Sequence, residues 1–154
     1  MKINIKVNIT PVAKQSVTQG RNRHTGGKTW YNPKQQYCDN LLLLIRSQVP
    51  KGFGTMCGAV QVNKLIYTFP YLKSHYRTGK HSNELKPNVP YYHIKKPDFV
   101  DNLNKPLFDC LTKASVIKDD SIVCKYSKGG DFYKIYGKVP SIEVELETII
   151  NIKE

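Results

Sequence analysis

The segment from Lys95 to Ser121, KKPDFVDNLNKPLFDCLTKASVIKDDS, constrains what this chain can fold into more than any other part of it. Its middle reads as a helix from about Asn102 to Ala114. With Asn102 as the cap, Pro106 falls within the first four helical positions, whose N–H groups lack intrahelical partners, so proline is tolerated there. At about 100° per residue, Leu103, Leu107, Cys110, Leu111 and Ala114 gather on one side of that helix. Lys105, Asp109 and Thr112 gather on the other, with Asp101 at the entrance on the same polar side. One face must therefore pack against a second layer while the other stays open.

The polar side matters because of its charge. Asp98, Asp101, Asp109, Asp119 and Asp120 all lie in this segment of a protein with only twelve acidic residues and a formal net charge of +12. Asp98 and Asp101 sit where a strand near Tyr91–Ile94 is expected to end, and Asp119 and Asp120 sit at the start of the next strand. A strand–helix–strand return brings those two ends together. Carboxylates that close repel unless protonated or neutralised by a cation. Magnesium takes hard oxygen ligands and few protein carboxylates, with water and phosphate completing its shell. Carboxylates held this way in a basic protein point to a divalent metal acting on a polyanion, as in phosphodiester hydrolysis. Lys105 would add a positive charge at the phosphoryl transition state. Each residue also has a plainer role: Asp101 at a helix entrance, Asp119-Asp120 in a turn, Lys105 and Asp109 as an i,i+4 pair. Their co-occurrence favours a site, and the residues read as a metal-dependent DNA nuclease.

The rest of the chain fits a single domain, residues 1–154, of mixed α/β (α+β) class, with a mixed sheet of about five strands and two main helices. Residues 2–10 alternate through Ile3, Ile5, Val7 and Ile9 as a strand ended by Pro11. A long basic loop is expected from Pro11 to Asn32, and Asn32-Pro33 then opens a helix striped by Tyr37, Leu41, Leu44 and Ile45. Residues 58–70 form a strand, and Lys73 to Asn88 a mobile basic loop. Further strands are expected at about Ser121–Tyr126 and at Phe132–Ile152, the latter bent at Pro140, with Glu143, Glu145 and Glu147 on its solvated face.

The longest apolar run, Leu41 to Ile45, is far too short to span a bilayer, and the alternating N-terminus lacks the apolar block of a secretion signal. Cys38, Cys57, Cys110 and Cys124 form no CxxC pair, and the four histidines show no ligand spacing. A soluble protein with reduced thiols is expected.

The run KPDFVDNLNKPLFDCL…VIKDDS resembles the RusA-type Holliday junction resolvases, crossover junction endodeoxyribonucleases common in phages and prophages. That family's pattern is an Asp-x-Asp-Asn-Leu-x-Lys core, a helix ending in Asp-Ala-Leu, then Asp-Asp with a polar residue. The similarity is close from Asp101 to Ser121; TPVAKQS and YNPKQQY match family segments more weakly. The resemblance implies a RusA-like fold and a magnesium cofactor, with manganese as the other candidate. It implies metal-binding aspartates at Asp101 and Asp120 and a catalytic lysine at Lys105, with Asp98 as the remaining catalytic, metal-binding aspartate. It implies a homodimer resolving four-way branched DNA by paired symmetric nicks, in recombination and repair, in the cytoplasm of a bacterial host cell.

The chain departs from the pattern at Asp98, which is separated from Asp101 by two residues, Phe99 and Val100, instead of one. In a regular strand the extra residue turns Asp98 to the opposite face, and a β-bulge would restore its aim. Lys14, Arg21, Arg23, Lys73, Arg77 and Lys80 are the candidates for DNA backbone contacts, as cations in expected loops. Phe99 is read as a buried strand phenylalanine, with a wedge between bases as its other role. The competing functions are a less specific branched-DNA nuclease and a non-catalytic nucleic-acid-binding protein.

Overall fold

A computed structural model describes residues 1–13 and 18–150 of the chain. Its main sheet has four strands in the order β1-β6-β4-β5: β1 (Lys2–Val7), β4 (Val60–Pro70), β5 (Val123–Gly137) and β6 (Ser141–Thr148). β1 and β4 run antiparallel to β6, while β4 and β5 are parallel, so the sheet is mixed. A separate two-stranded ribbon, β2 (Thr18–Arg21) and β3 (Lys28–Tyr31), precedes helix α1 (Gln35–Gln48); helix α2 (Asn104–Lys113) lies in the connection between β4 and β5. Parallel neighbours need a crossover of this length, and α2 is the helix that crosses.

Alternation decides which face is buried. β1 buries Ile3, Ile5 and Val7, and opposite them β6 buries Leu146, Val144 and Ile142. β4 buries Val60 and Val62, then Leu65, Tyr67 and Phe69, because a register shift at Val62/Lys64 inserts one residue and resets the period. Leu41 and Ile45 of α1 and Leu107 and Leu111 of α2 complete the core. The opposite face is polar: Lys2 pairs with Glu145 at 2.9 Å and Lys64 with Glu143 at 3.1 Å. Glu143 and Glu145 are thus half-buried in cross-strand ion pairs and Glu147 accepts the Asn63 side-chain amide at 2.7 Å, so these glutamates are not simply solvated.

Several expected elements differ. The loop expected from Pro11 to Asn32 contains the β2–β3 ribbon, whose turn closes through Asn22 N–H to Gly27 at 2.8 Å and Gly26 N–H to Asn22 at 2.9 Å, with Gly26 at φ +67°. Asn32 does not cap α1 directly; its side-chain oxygen accepts the Lys34 N–H at 3.0 Å, and the helix starts at Gln35. Residues 91–94 form no strand, only one bridge between Tyr92 and Ile135. β5 runs unbroken through the stretch expected to separate two strands, and Pro140 lies in the turn between β5 and β6 instead of bending one strand. At 127–130 the ladder skips from Val62↔Tyr126 to Lys64↔Asp131. Glycine is required there, since a Cβ on Gly130 would lie 2.4 Å from the Asn63 carbonyl. The segment expected to be a mobile loop, 73–88, is tied to itself by Lys86 N–H to His75 O and Arg77 N–H to Glu84 O, both 2.8 Å.

Candidate functional site

The site grows from the turn that leads into α2. Asp98 accepts the backbone N–H groups of Asp101 at 3.0 Å and Asn102 at 3.2 Å through one carboxylate oxygen, and the Asn102 side-chain amide through the other. This is the geometry of a capping side chain satisfying otherwise orphaned donors. The N–H groups of Asp101 and Asn102 hold the Asp98 carboxyl below its ordinary pKa. The Asp101 carbonyl then accepts the Lys105 N–H at 3.2 Å, so Asp101 and Lys105 lie one helical turn apart on the same side. Pro106 occupies the third helical position, and its missing N–H leaves no gap.

Buried Tyr67 fixes this turn from below. Its hydroxyl lies 3.1 Å from the Leu103 carbonyl and 2.9 Å from the Asn104 side-chain oxygen, both acceptors for its hydrogen. The Asn104 amide in turn donates to the Val100 carbonyl at 3.2 Å. Phe99 packs edge-on against Tyr67 at 5.8 Å, so it packs against the core as expected, but from a turn and half-buried instead of buried in a strand.

At the other end of α2 the chain returns through a short 3-10 turn, Asp120–Ile122. Asp119 and Asp120 divide their work. Asp119 caps the turn by accepting the Ser121 N–H at 2.9 Å, and its hydrogen bonding to Ser121 is the main reason its pKa is lowered. Asp120 instead turns toward α2 and accepts Lys105 Nζ at 2.9 Å. Lys105 also pairs with Asp109 at 2.9 Å. Asp120 first, then Asp109, raise the Lys105 pKa well above its ordinary value, so the lysine is a fixed positive charge.

Asp101, Lys105 and Asp120 line one open cleft of about 310 Å³, together with Asn104, Ser121 and Tyr126 and an apolar wall that includes Val100 and Phe108. Lys105 and Asp120 remain 42% and 43% exposed, so water and a large polyanion can both reach them. Asp98 is not among the lining residues; it touches the site through the backbone of Asp101. Among the described residues no three His, Cys, Asp or Glu side chains cluster as a ready ligand set. The donors that share the cleft, Asp101 and Asp120, are hard oxygens, and they suit an octahedral ion such as magnesium or manganese that keeps most of its shell as water and phosphate.

Sequence reasoning missed Asn104, Ser121 and Tyr126. Asn104 could have been found, since it sits three positions after Asp101 on the same helical side. Tyr126 could not, because only the β4–β5 pairing carries it to the cleft. The candidate DNA-contact residues are spread out. Arg21 and Arg23 are exposed on the β2–β3 ribbon, and Lys73 and Lys80 are exposed on the 73–88 segment. Arg77 on that segment pairs with Glu84 at 3.2 Å. Lys14 lies outside the described residues.

No helix of the described residues is long and apolar enough to cross a membrane. A family model described as Endodeoxyribonuclease RusA matches residues 8–147 of the 154. No curated protein matches the chain.

Proposed function

The chain belongs to the RusA endodeoxyribonuclease family, and from that premise we propose that it resolves four-way DNA junctions by paired, magnesium-dependent nicks. The observation that carries this reading is the meeting of Asp101, Lys105 and Asp120 in one solvent-open cleft, with Asp119 and Asp98 turned to capping the two turns that present them. When bound there, a divalent ion supplies an activated water and neutralises phosphoryl charge. Asp101 and Asp120 would hold that ion. Lys105, kept protonated by Asp120 and Asp109, faces the charge that develops on the phosphoryl oxygens. Asp98 orients Asp101, and Asn104, fixed by Tyr67, offers a neutral polar edge between them.

One such cleft makes one cut. Two symmetric cuts across a junction require two clefts related by a two-fold axis, and hence a homodimer. The excess of cations holds the DNA: Arg21, Arg23, Lys73 and Lys80, with Lys14 and Arg77, contact phosphates. The setting that fits is recombination or repair of phage or prophage DNA in the bacterial cytoplasm.

The test is incubation of the purified protein with labelled four-way junction and matched linear duplex, with magnesium and with chelator. Symmetric nicks confined to the junction and dependent on magnesium are expected. Asp120→Asn should abolish them while junction binding survives. Magnesium-independent cutting, or equal cutting of linear duplex, defeats the proposal.

A further inference from the structure

No residue of the β2–β3 ribbon lines the cleft, yet the ribbon is built with a definite chemistry. Its register pairs Gln19 with Trp30 and Arg21 with Lys28. Cross-strand partners share a face, as do residues two apart along a strand, so Gln19, Arg21, Lys28 and Trp30 all project from one side of the ribbon. That side is open: Arg21 and Lys28 are exposed, and Trp30 is 68% exposed. Tyr31 belongs to the other side, where its ring lies across Gly20, 3.3 Å from where a Cβ would sit. None of the ring–ring contacts among the described residues involves Trp30.

Three features of this face ask for the same occupant. Arg21 and Lys28 are like charges directly opposite each other, an unfavourable pairing that an anion between them would relieve. No acidic residue occurs before Asp39, and neither cation has an ion-pair partner among the described residues. Beside these cations stands an unpacked indole, with Lys28 and Trp30 about 7 Å apart along the strand. Cations alone would suffice for duplex phosphates. Cations with an exposed aromatic plane match a nucleotide whose base has left its stack, the phosphate meeting Arg21 and Lys28 and the base meeting Trp30.

We propose that the outward face of the β2–β3 ribbon binds unpaired nucleotides of the DNA substrate, with Trp30 as the stacking platform and Arg21 and Lys28 as the phosphate clamp. This rests on the nuclease reading above and deepens it. It makes the recognised feature of branched DNA its unstacked bases at the branch point, not only its overall shape.

Trp30 is the only tryptophan in the chain, so its fluorescence reports on this face alone. The full chain, in chelator to prevent cutting, is titrated with oligo-dT, with a four-way junction and with fully paired linear duplex. Strong quenching by oligo-dT and by the junction, and little by duplex at equal saturation, is expected. Trp30→Ala should weaken oligo-dT binding by about tenfold to a hundredfold. Arg21→Ala with Lys28→Ala should flatten its log affinity–log salt slope by about 1.4, roughly 0.7 per lost phosphate contact. Far-UV circular dichroism of each variant confirms that the fold is kept.

Equal quenching by duplex and oligo-dT, or unchanged affinity in Trp30→Ala, overturns the inference. Protein-concentration-dependent quenching without DNA, matched by dimerisation in sedimentation, also overturns it and assigns the face to a second copy. Junction cleavage with a silent Trp30 would refute this inference alone, whereas quenching by oligo-dT without any magnesium-dependent cleavage would refute only the nuclease reading.

Discussion

Lys105→Gln separates the two roles proposed for the cleft, holding an ion and cutting a phosphodiester. In the folded protein Lys105 holds Asp120 at 2.9 Å and Asp109 at 2.9 Å, with all three side chains about 40% exposed. Exposed pairs of this kind are worth about 0.2–1 kcal/mol each. An ion that takes Asp120 must loosen the Lys105–Asp120 pair, so the lysine competes with it. Removing the lysine should tighten metal binding by about 1.4- to 5-fold, which is that same energy expressed as an affinity ratio. Cleavage should move the opposite way. Loss of a preorganised donor at the phosphoryl oxygens costs about 10²–10³ in rate. Manganese binding to the DNA-free protein, followed by electron paramagnetic resonance, gives the first number; single-turnover junction cleavage at saturating metal gives the second. Weaker metal binding in Lys105→Gln, or cleavage within threefold of the parent, would refute the assignment. The raised Lys105 pKa fixes the pH behaviour of its charge: the ammonium is fully present below pH 10.5 and is lost only as pH rises through the higher folded value, so Lys105 contributes no limb to a rate profile in the neutral range.

Asp98→Asn keeps an oxygen for the Asp101 and Asn102 N–H groups, whereas Asp98→Ala removes it. With Asp98 acting through that turn, the Asn variant should cut junctions within about tenfold of the parent with unchanged metal affinity, and the Ala variant should lose more; an Asn variant as inactive as Asp101→Asn would make Asp98 a ligand. His93 gives a pH prediction. It is buried, stacks on Phe69 at 4.0 Å, leaves Nδ1 without a hydrogen-bond partner, and is held below its ordinary pKa by burial and by Lys134, with Lys95 also opposing its charge. The unfolded chain therefore takes up a proton first, and stability that is complete above pH 6.5 should fall as pH drops through the depressed folded value. Urea midpoints at pH 8, 6.5 and 5 measure this, and a His93→Phe variant with the same loss between pH 6.5 and 5 would rule the histidine out as its source.

What the sequence made legible follows what burial demands of it. The alternation of β1 and β4 and the stripe of α1 could be read because each presents one face to a core that must be dry. The β2–β3 ribbon could not be read as strands, since none of its residues is buried and nothing forces an alternating pattern. The aromatic run 91–94 imitated a strand, yet only His93 turns inward, while Tyr91, Tyr92 and Ile94 stay exposed. The glycines at 129–130 lie in the gap left between the two strands expected at 121–126 and 132–152. They are instead where β5 swells past β4 and the Asn63 carbonyl approaches too closely for any Cβ.

The site was legible where helical geometry set it and illegible where the backbone was assumed to be extended. Asp101, Lys105 and Asp109 follow from the i,i+4 spacing alone. The doubt over Asp98 came from treating residues 98–101 as strand, where one extra residue flips a side chain to the other face. They form a turn instead. In a turn the count works differently: with Phe99 and Val100 between them, Asp98 stands three residues before Asp101 and four before Asn102, the reach at which a carboxylate accepts both of their N–H groups. The extra residue thus places Asp98 at capping distance from the aspartate that faces the cleft, which is why the departure from the family pattern can coexist with Asp101, Lys105 and Asp120 sharing one cleft.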